Sequence, residues 1–382
     1  MSTHDVLLPG ELRLRLVGLS KSLASGLERE VGPFRRASVE ATDTPAVPDV
    51  TIRVIDCLPD PASGTWRTLN RNVAAYDGKR FVLFDGAGRR TQLPLDRFGE
   101  PIEILCERGV GHVPLLRDAL ALRLLATGRL LLHSSAFHVG NTTVLAMGWQ
   151  KGGKSELLLA SMAEGAWFVS DEWTVVDPAS RTIAGVGDRL FVWDWHLEQL
   201  PTLRARLRTS RRLRLAGLRG VRSVTAALSR RLPGALRATR LARLATPGGI
   251  ASLAQVQPSP AELFGDRRLP TATIDVGVLA AVGDSRTTIA PIDPAEIARR
   301  MVFSQASERR GLLEAYVAFR HAFPDRPNTL LESATDRELE LLTRALAGLP
   351  AFELVHPYPV ALRDLSAALV PALPGRDPER PG

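Results

Sequence analysis

Residues 148–155 read GWQKGGKS and fit G-x-x-x-x-G-K-[ST] at every fixed position. No other stretch constrains the fold as tightly, because this pattern works only as the turn between a strand and a helix. Its glycines let consecutive backbone N–H groups curl around phosphate oxygens, and the helix that follows adds its N-terminal partial charge. The flanks meet that demand. Residues 142–147 are β-branched and apolar, residues 155–164 are good helix formers, and Gly165 stops them. The chain has four lysines, Lys21, Lys79, Lys151 and Lys154. Half of them fall inside this loop, although arginine replaces lysine nearly everywhere else. The expected ligand is a nucleoside triphosphate, ATP, with Mg2+. Gly148, Lys151, Gly152, Gly153 and Lys154 would surround the phosphates, Lys154 would reach the β- and γ-phosphates, and Ser155 would ligate magnesium.

Acids follow at a short interval. Asp171 closes the apolar run AWFV, 16 residues after Ser155. A strand–helix–strand excursion that short returns the chain beside the loop. A carboxylate there serves to hold magnesium or to accept a proton from an attacking hydroxyl. Glu172 adjoins it, Glu156 adjoins the magnesium serine, and both are further candidates for the metal. On an extended segment Asp171 and Glu172 point to opposite sides, so only one is expected beside the ion. His133 lies on the strand before the loop and is the third candidate catalytic residue, with Asp171 and Lys154. His138, near a turn, reads as structural.

The rest of the chain reads as α/β. Residues 1–114 suggest a smaller N-terminal α/β domain, with a helix over 14–27 and strands at 50–55, 80–84 and 101–106. Residues 115–363 form the main domain. It has a helix over 115–126 stopped by Gly128, a hairpin turn at Gly140-Asn141, and a short buried strand over 167–169. Strand pattern returns over 268–284, helices over 294–304 and 336–347, and a last strand at 352–354. Aromatic packing at a hinge is expected for Trp193, Asp194, Trp195 and His196. The Pro-rich residues 364–382 read as a disordered tail. Cys57 and Cys106 lie at no metal-ligand spacing and read as reduced, mostly buried thiols. No run of about 18 apolar residues and no signal-peptide pattern occurs, so a cytoplasmic location is expected.

Three features keep one register here: His133 stands 15 residues before Gly148, the loop ends Gly153-Lys154-Ser155-Glu156, and the paired acids Asp171-Glu172 follow the helix. In that register the chain resembles the HPr kinase/phosphorylase family and its kinase-like relatives over residues 115–185. The resemblance implies a phosphoenolpyruvate-carboxykinase-like core, a mixed sheet flanked by helices. It implies Asp171 as acid/base at the attacked hydroxyl, His133 holding it or the phosphate, and Ser155 with Glu156 or Glu172 serving the magnesium. It also implies a homo-oligomer. Lys151 stands where the family loop has its middle glycine, Trp149-Gln150 replace a polar pair, and Glu172 replaces an aspartate. The acceptor implied is thus a hydroxyl of a peptide, a protein or a sugar-like small molecule.

The net charge is +8, yet residues 199–261 hold thirteen arginines, no lysine and no acid, which leaves a net −5 on the remainder. Within this basic insertion, 200–247, Leu218, Val221, Val224, Leu228 and Leu232 fall on one helical face that Pro233 closes. The segment reads as a solvated excursion, a basic helix on an anionic membrane surface, or a docking surface for a polyanion. No nucleic-acid motif accompanies it. The rival to a kinase is a nucleotide-gated scaffold recruited through this insertion.

Overall fold

Alternation in the sequence LRLRLV puts Leu12, Leu14 and Leu16 on a buried face and Arg13 outward. The segment is therefore a strand, Leu12–Val17, and the helix expected over 14–27 is split. Gly18 turns the chain at φ 72, and Ser20 Oγ then accepts from the Leu23 N–H at 3.2 Å to open the helix Lys21–Val31. In the computed structural model the described residues are 3–32, 47–60, 66–69, 73–187, 190–218, 255–283 and 286–374.

They form a mixed α/β structure with several sheets flanked by helices. Eight strands make the N-terminal sheet, in the order Thr3–Leu8, Leu12–Val17, Val50–Ile55, Ile102–Glu107, Arg90–Gln92, Phe81–Phe84, Ala74–Tyr76, Arg67–Leu69. A six-stranded sheet carries the glycine-rich loop: Trp167–Ser170, Ser135–Val139, Thr142–Met147, Val276–Val282, Ala351–His356, Thr288–Pro291. Its loop strand, Thr142–Met147, is buried at all six residues; it runs antiparallel to Ser135–Val139 and parallel to Val276–Val282. Such burial on both faces explains its unbroken apolar and β-branched sequence. A four-stranded sheet places Leu130–His133 at an edge, next to Trp173–Val176.

The sheets share a core. One apolar cluster runs from Leu14 and Ile52 in the N-terminal sheet, through Leu120 of the helix Leu116–Ala126, to Met147 and Met301. A second packs Leu158 and Met162 of the helix Lys154–Ala163 against Leu365 and Leu369. These last two leucines belong to the helix Leu362–Leu369, which crosses the boundary expected at 364. Its stripe of Leu362, Leu365 and Leu369 needs a buried partner, so the ordered chain continues beyond that boundary. A further helix, Arg310–Ala322, follows Pro294–Glu308 with only Arg309 between them and was not expected from sequence. Beyond Leu218 the apolar stripe of the arginine segment lies outside the described residues. Among the described residues no helix is long and apolar enough to cross a membrane. Cys106 is buried, but Cys57 is exposed, contrary to expectation, because it lies just past the end of the strand Val50–Ile55.

Candidate functional site

The loop between Thr142–Met147 and Lys154–Ala163 is closed by contacts that exclude side chains. Gly148 has φ 144, and a Cβ there would lie 2.3 Å from the Ala280 carbonyl oxygen. Gly153 has φ 101, and a Cβ there would lie 1.9 Å from His356 Nε2. Both positions need glycine for space as well as for conformation. His356 is fully buried at the end of its strand, with Nε2 3.2 Å from the Gly152 oxygen and Nδ1 2.8 Å from the Pro357 oxygen. Lys154 is buried, and its Nζ donates to the carbonyls of Trp149 at 2.9 Å and Gly148 at 3.3 Å. Burial holds its pKa below the usual lysine range, against the pull of Glu172, Asp171 and Glu308. Lys151 is exposed, at φ 59.

Asp171 and Glu172 do face opposite ways, but a turn rather than an extended segment separates them. Glu172 has φ 66, and the Trp173 N–H donates to the Asp171 carbonyl at 2.8 Å across it. A glutamate in the left-handed region is strained. The turn sends Asp171 inward, where Oδ1 accepts from Ser155 Oγ at 2.9 Å and from Ser135 Oγ at 2.5 Å. Its Oδ2 is buried without a partner among the described residues. Burial, with Glu172 adding repulsion, pushes the Asp171 carboxyl up to about 7.

Glu172 turns the other way, to His133, with Oε2 3.5 Å from Nε2. The Nδ1 of His133 meets Glu308, and its ring stacks on Trp173 at 5.2 Å. Burial opposes a charge on this histidine, but its hydrogen bonds with Glu172 and Glu308 outweigh that and raise its pKa. Sequence reading missed the helix face that supplies Glu308. Met301, Ser304, Gln305 and Glu308 of Pro294–Glu308 fall at i, i+3, i+4 and i+7, one side of a helix. Met301 Sδ accepts from the Gly148 N–H at 3.2 Å, and Ser304 Oγ donates to the Gly148 carbonyl at 3.3 Å. Gln305 caps the sheet edge, accepting from the His133 N–H at 3.1 Å and donating to the Leu131 carbonyl at 2.6 Å. Glu308 accepts from Gln150 of the loop at 2.8 Å. The available signal was a polar version of the ordinary core spacing, continuing one turn past residue 304.

Glu156 lies elsewhere. His196 Nε2 is 3.3 Å from its carboxylate, and that bond, against burial, holds its pKa below the usual range. The two residues join the loop helix to the helix Asp194–Gln199, so His196 makes a specific polar contact beyond the aromatic packing expected there. His138 bonds Thr143 Oγ1 at 3.0 Å, a strand-to-strand contact outside the site. Among the described residues no group of three or more His, Cys, Asp or Glu side chains is placed to hold a metal ion. A cavity of about 970 Å³ lies between the first two strands of the N-terminal sheet and Thr182–Val186, with Ser170 and Asp171 on its wall. The chain matches no family model and no curated protein.

Proposed function

We propose that this chain is an ATP-dependent kinase that transfers the γ-phosphoryl group to a hydroxyl of a peptide, protein or sugar-like acceptor. The observation that carries this reading is the bond from Ser155 to Asp171. It ties the end of the glycine-rich loop to a buried carboxylate of raised pKa, beside a lysine held over the loop. The register of His133, the loop and the acid pair supports a core of the HPr kinase type.

Magnesium fits the residues present. It is commonly bound by one or two carboxylates together with nucleotide phosphates, so a three-carboxylate cage is not required. Ser155 Oγ would hold it, oriented by Asp171; Glu172 would join as a second donor only on leaving His133. When bound, it neutralises charge on the β- and γ-phosphates. Glu156, engaged by His196, is assigned a positioning part only.

Loop amides and Lys154 bind the triphosphate. The acceptor oxygen attacks the γ-phosphorus in line, the bond from that phosphorus to the β-bridging oxygen breaks, and ADP leaves. Asp171 Oδ2 takes the hydroxyl proton. Its ionisation near neutrality suits that task, and the two serine bonds to Oδ1 fix its direction. His133, held by Glu172 and Glu308, supports the opposite side of the same turn. Transfer of labelled γ-phosphate with Mg2+ and a panel of hydroxyl compounds, peptides and proteins tests the reading. Tight nucleotide binding with no transfer to any acceptor would favour the nucleotide-gated scaffold instead.

A further inference from the structure

Arg117 is the least committed arginine near the site. It stands in the first turn of Leu116–Ala126, half-buried, with Cζ 4.3 Å from the centroid of the Trp173 ring. That ring stacks on His133, its cross-strand partner. Arg117, Trp173 and His133 therefore form one stacked series that ends on the histidine. Other arginines of this wall are engaged. Arg123, on the same helix, bonds Asp49 at 2.6 Å and the Gly99 carbonyl at 3.1 Å. Arg309 pairs with buried Glu338. Among the described residues, Arg117 makes the ring contact but donates no hydrogen bond and closes no ion pair.

Carboxylates nevertheless lie within reach of its charge. Its charge acts on Glu30, Asp118 and Glu308, and Arg309 and His112 share that neighbourhood. Glu308 is the residue that holds Gln150 of the loop and Nδ1 of His133. A guanidinium lying on an aromatic face keeps its in-plane N–H groups directed outward, in the fork that suits an oxyanion. The charges of Asp171, Glu172 and Glu308, which all reach Lys154, repel an anionic acceptor unless a cation receives it. Arg117 is placed to do so, one ring out from His133.

We propose that Arg117 is a specificity residue that binds an anionic group, phosphate or carboxylate, carried by the acceptor on the His133 side of the turn, away from the hydroxyl that faces Asp171. This rests on the kinase reading. With AMP-PNP and Mg2+ saturating the loop, titration calorimetry with inorganic phosphate and, separately, acetate is compared between wild type, Arg117→Ala and Arg117→Lys. The expected result is one weak anion site in wild type, weakened at least tenfold in Arg117→Ala and less in Arg117→Lys, with AMP-PNP affinity unchanged. Preference for phosphate or acetate identifies the acceptor's anionic group. Equal anion binding in wild type and Arg117→Ala overturns the inference, as does the absence of any anion site in wild type. So does a loss of AMP-PNP affinity with ADP affinity kept, which would place the guanidinium on the γ-phosphate. If AMP-PNP does not bind wild type at all, the kinase reading itself fails.

Discussion

The Ser155 hydroxyl donates to Asp171 Oδ1 at 2.9 Å, and the other oxygen of the same carboxylate is buried without a partner. One residue thus orients the end of the loop while keeping an unused proton acceptor. Asp171→Asn keeps an oxygen for Ser155 but cannot take a proton. Nucleotide affinity is expected to stay within a few-fold, while transfer falls roughly 100- to 10,000-fold. Single-turnover assays beside nucleotide titrations separate the two, and intact transfer would remove Asp171 as the base.

The same carboxyl predicts a stability profile. Its pKa rises from 3.8 to about 7 on folding, so the unfolded chain releases this proton first. The group's contribution to stability is present at low pH and is lost as pH rises between about 4 and about 7. Asp171→Asn removes that loss. Thermal melts at pH 4, 6 and 8 should show the variant more stable than wild type at pH 8, with the gap closing towards pH 4.

His133 follows the same rule, with the charged rather than the neutral form favoured by the fold. Its folded pKa is raised, so the stabilisation from Glu172 and Glu308 is full below its unfolded value of 6.5 and fades as pH rises through the folded value. His133→Gln should cost about 1–3 kcal/mol at pH 6 and less at pH 9. Chemical denaturation at the two pH values measures it; a cost independent of pH would mean that the ion pairs contribute little.

Gly153→Ala places a methyl group against the His356 ring. Nucleotide affinity should fall at least tenfold. The double variant Gly153→Ala with His356→Ala should recover part of the loss, the remainder being the cost of a left-handed alanine, about 1 kcal/mol. Absence of any recovery would show that the ring is not the obstacle.

Thiol labelling checks the burial of the two cysteines. Cys57 should react within minutes in the native protein. Cys106, with its thiol pushed up to about 11 by burial, should react only on unfolding. Fast labelling of both would contradict the packing of the strand Ile102–Glu107.

What could be read from sequence was local. The loop, the turn at Gly140-Asn141 and the separation of Asp171 from Glu172 depend on residues close along the chain. The strand Leu12–Val17 is ambiguous in sequence because its alternating leucines also fit part of a helical stripe. Glu308 and Gln305 were invisible because their helix face looks like ordinary core spacing, and only the fold shows that it meets the loop. The positive φ of Glu172 has no compositional mark, since glutamate rarely adopts it.

His356 and Gly152 meet across 204 residues. Synthesis therefore produces the loop sequence long before the wall that closes it. A ribosome-bound chain that has just emerged through the helix Lys154–Ala163 has every residue of the motif, but not the ring that backs Gly153. The cradle is completed only after the strand Ala351–His356 pairs with Val276–Val282. A premature stop between Ser155 and His356 leaves a chain with an intact motif and an open loop.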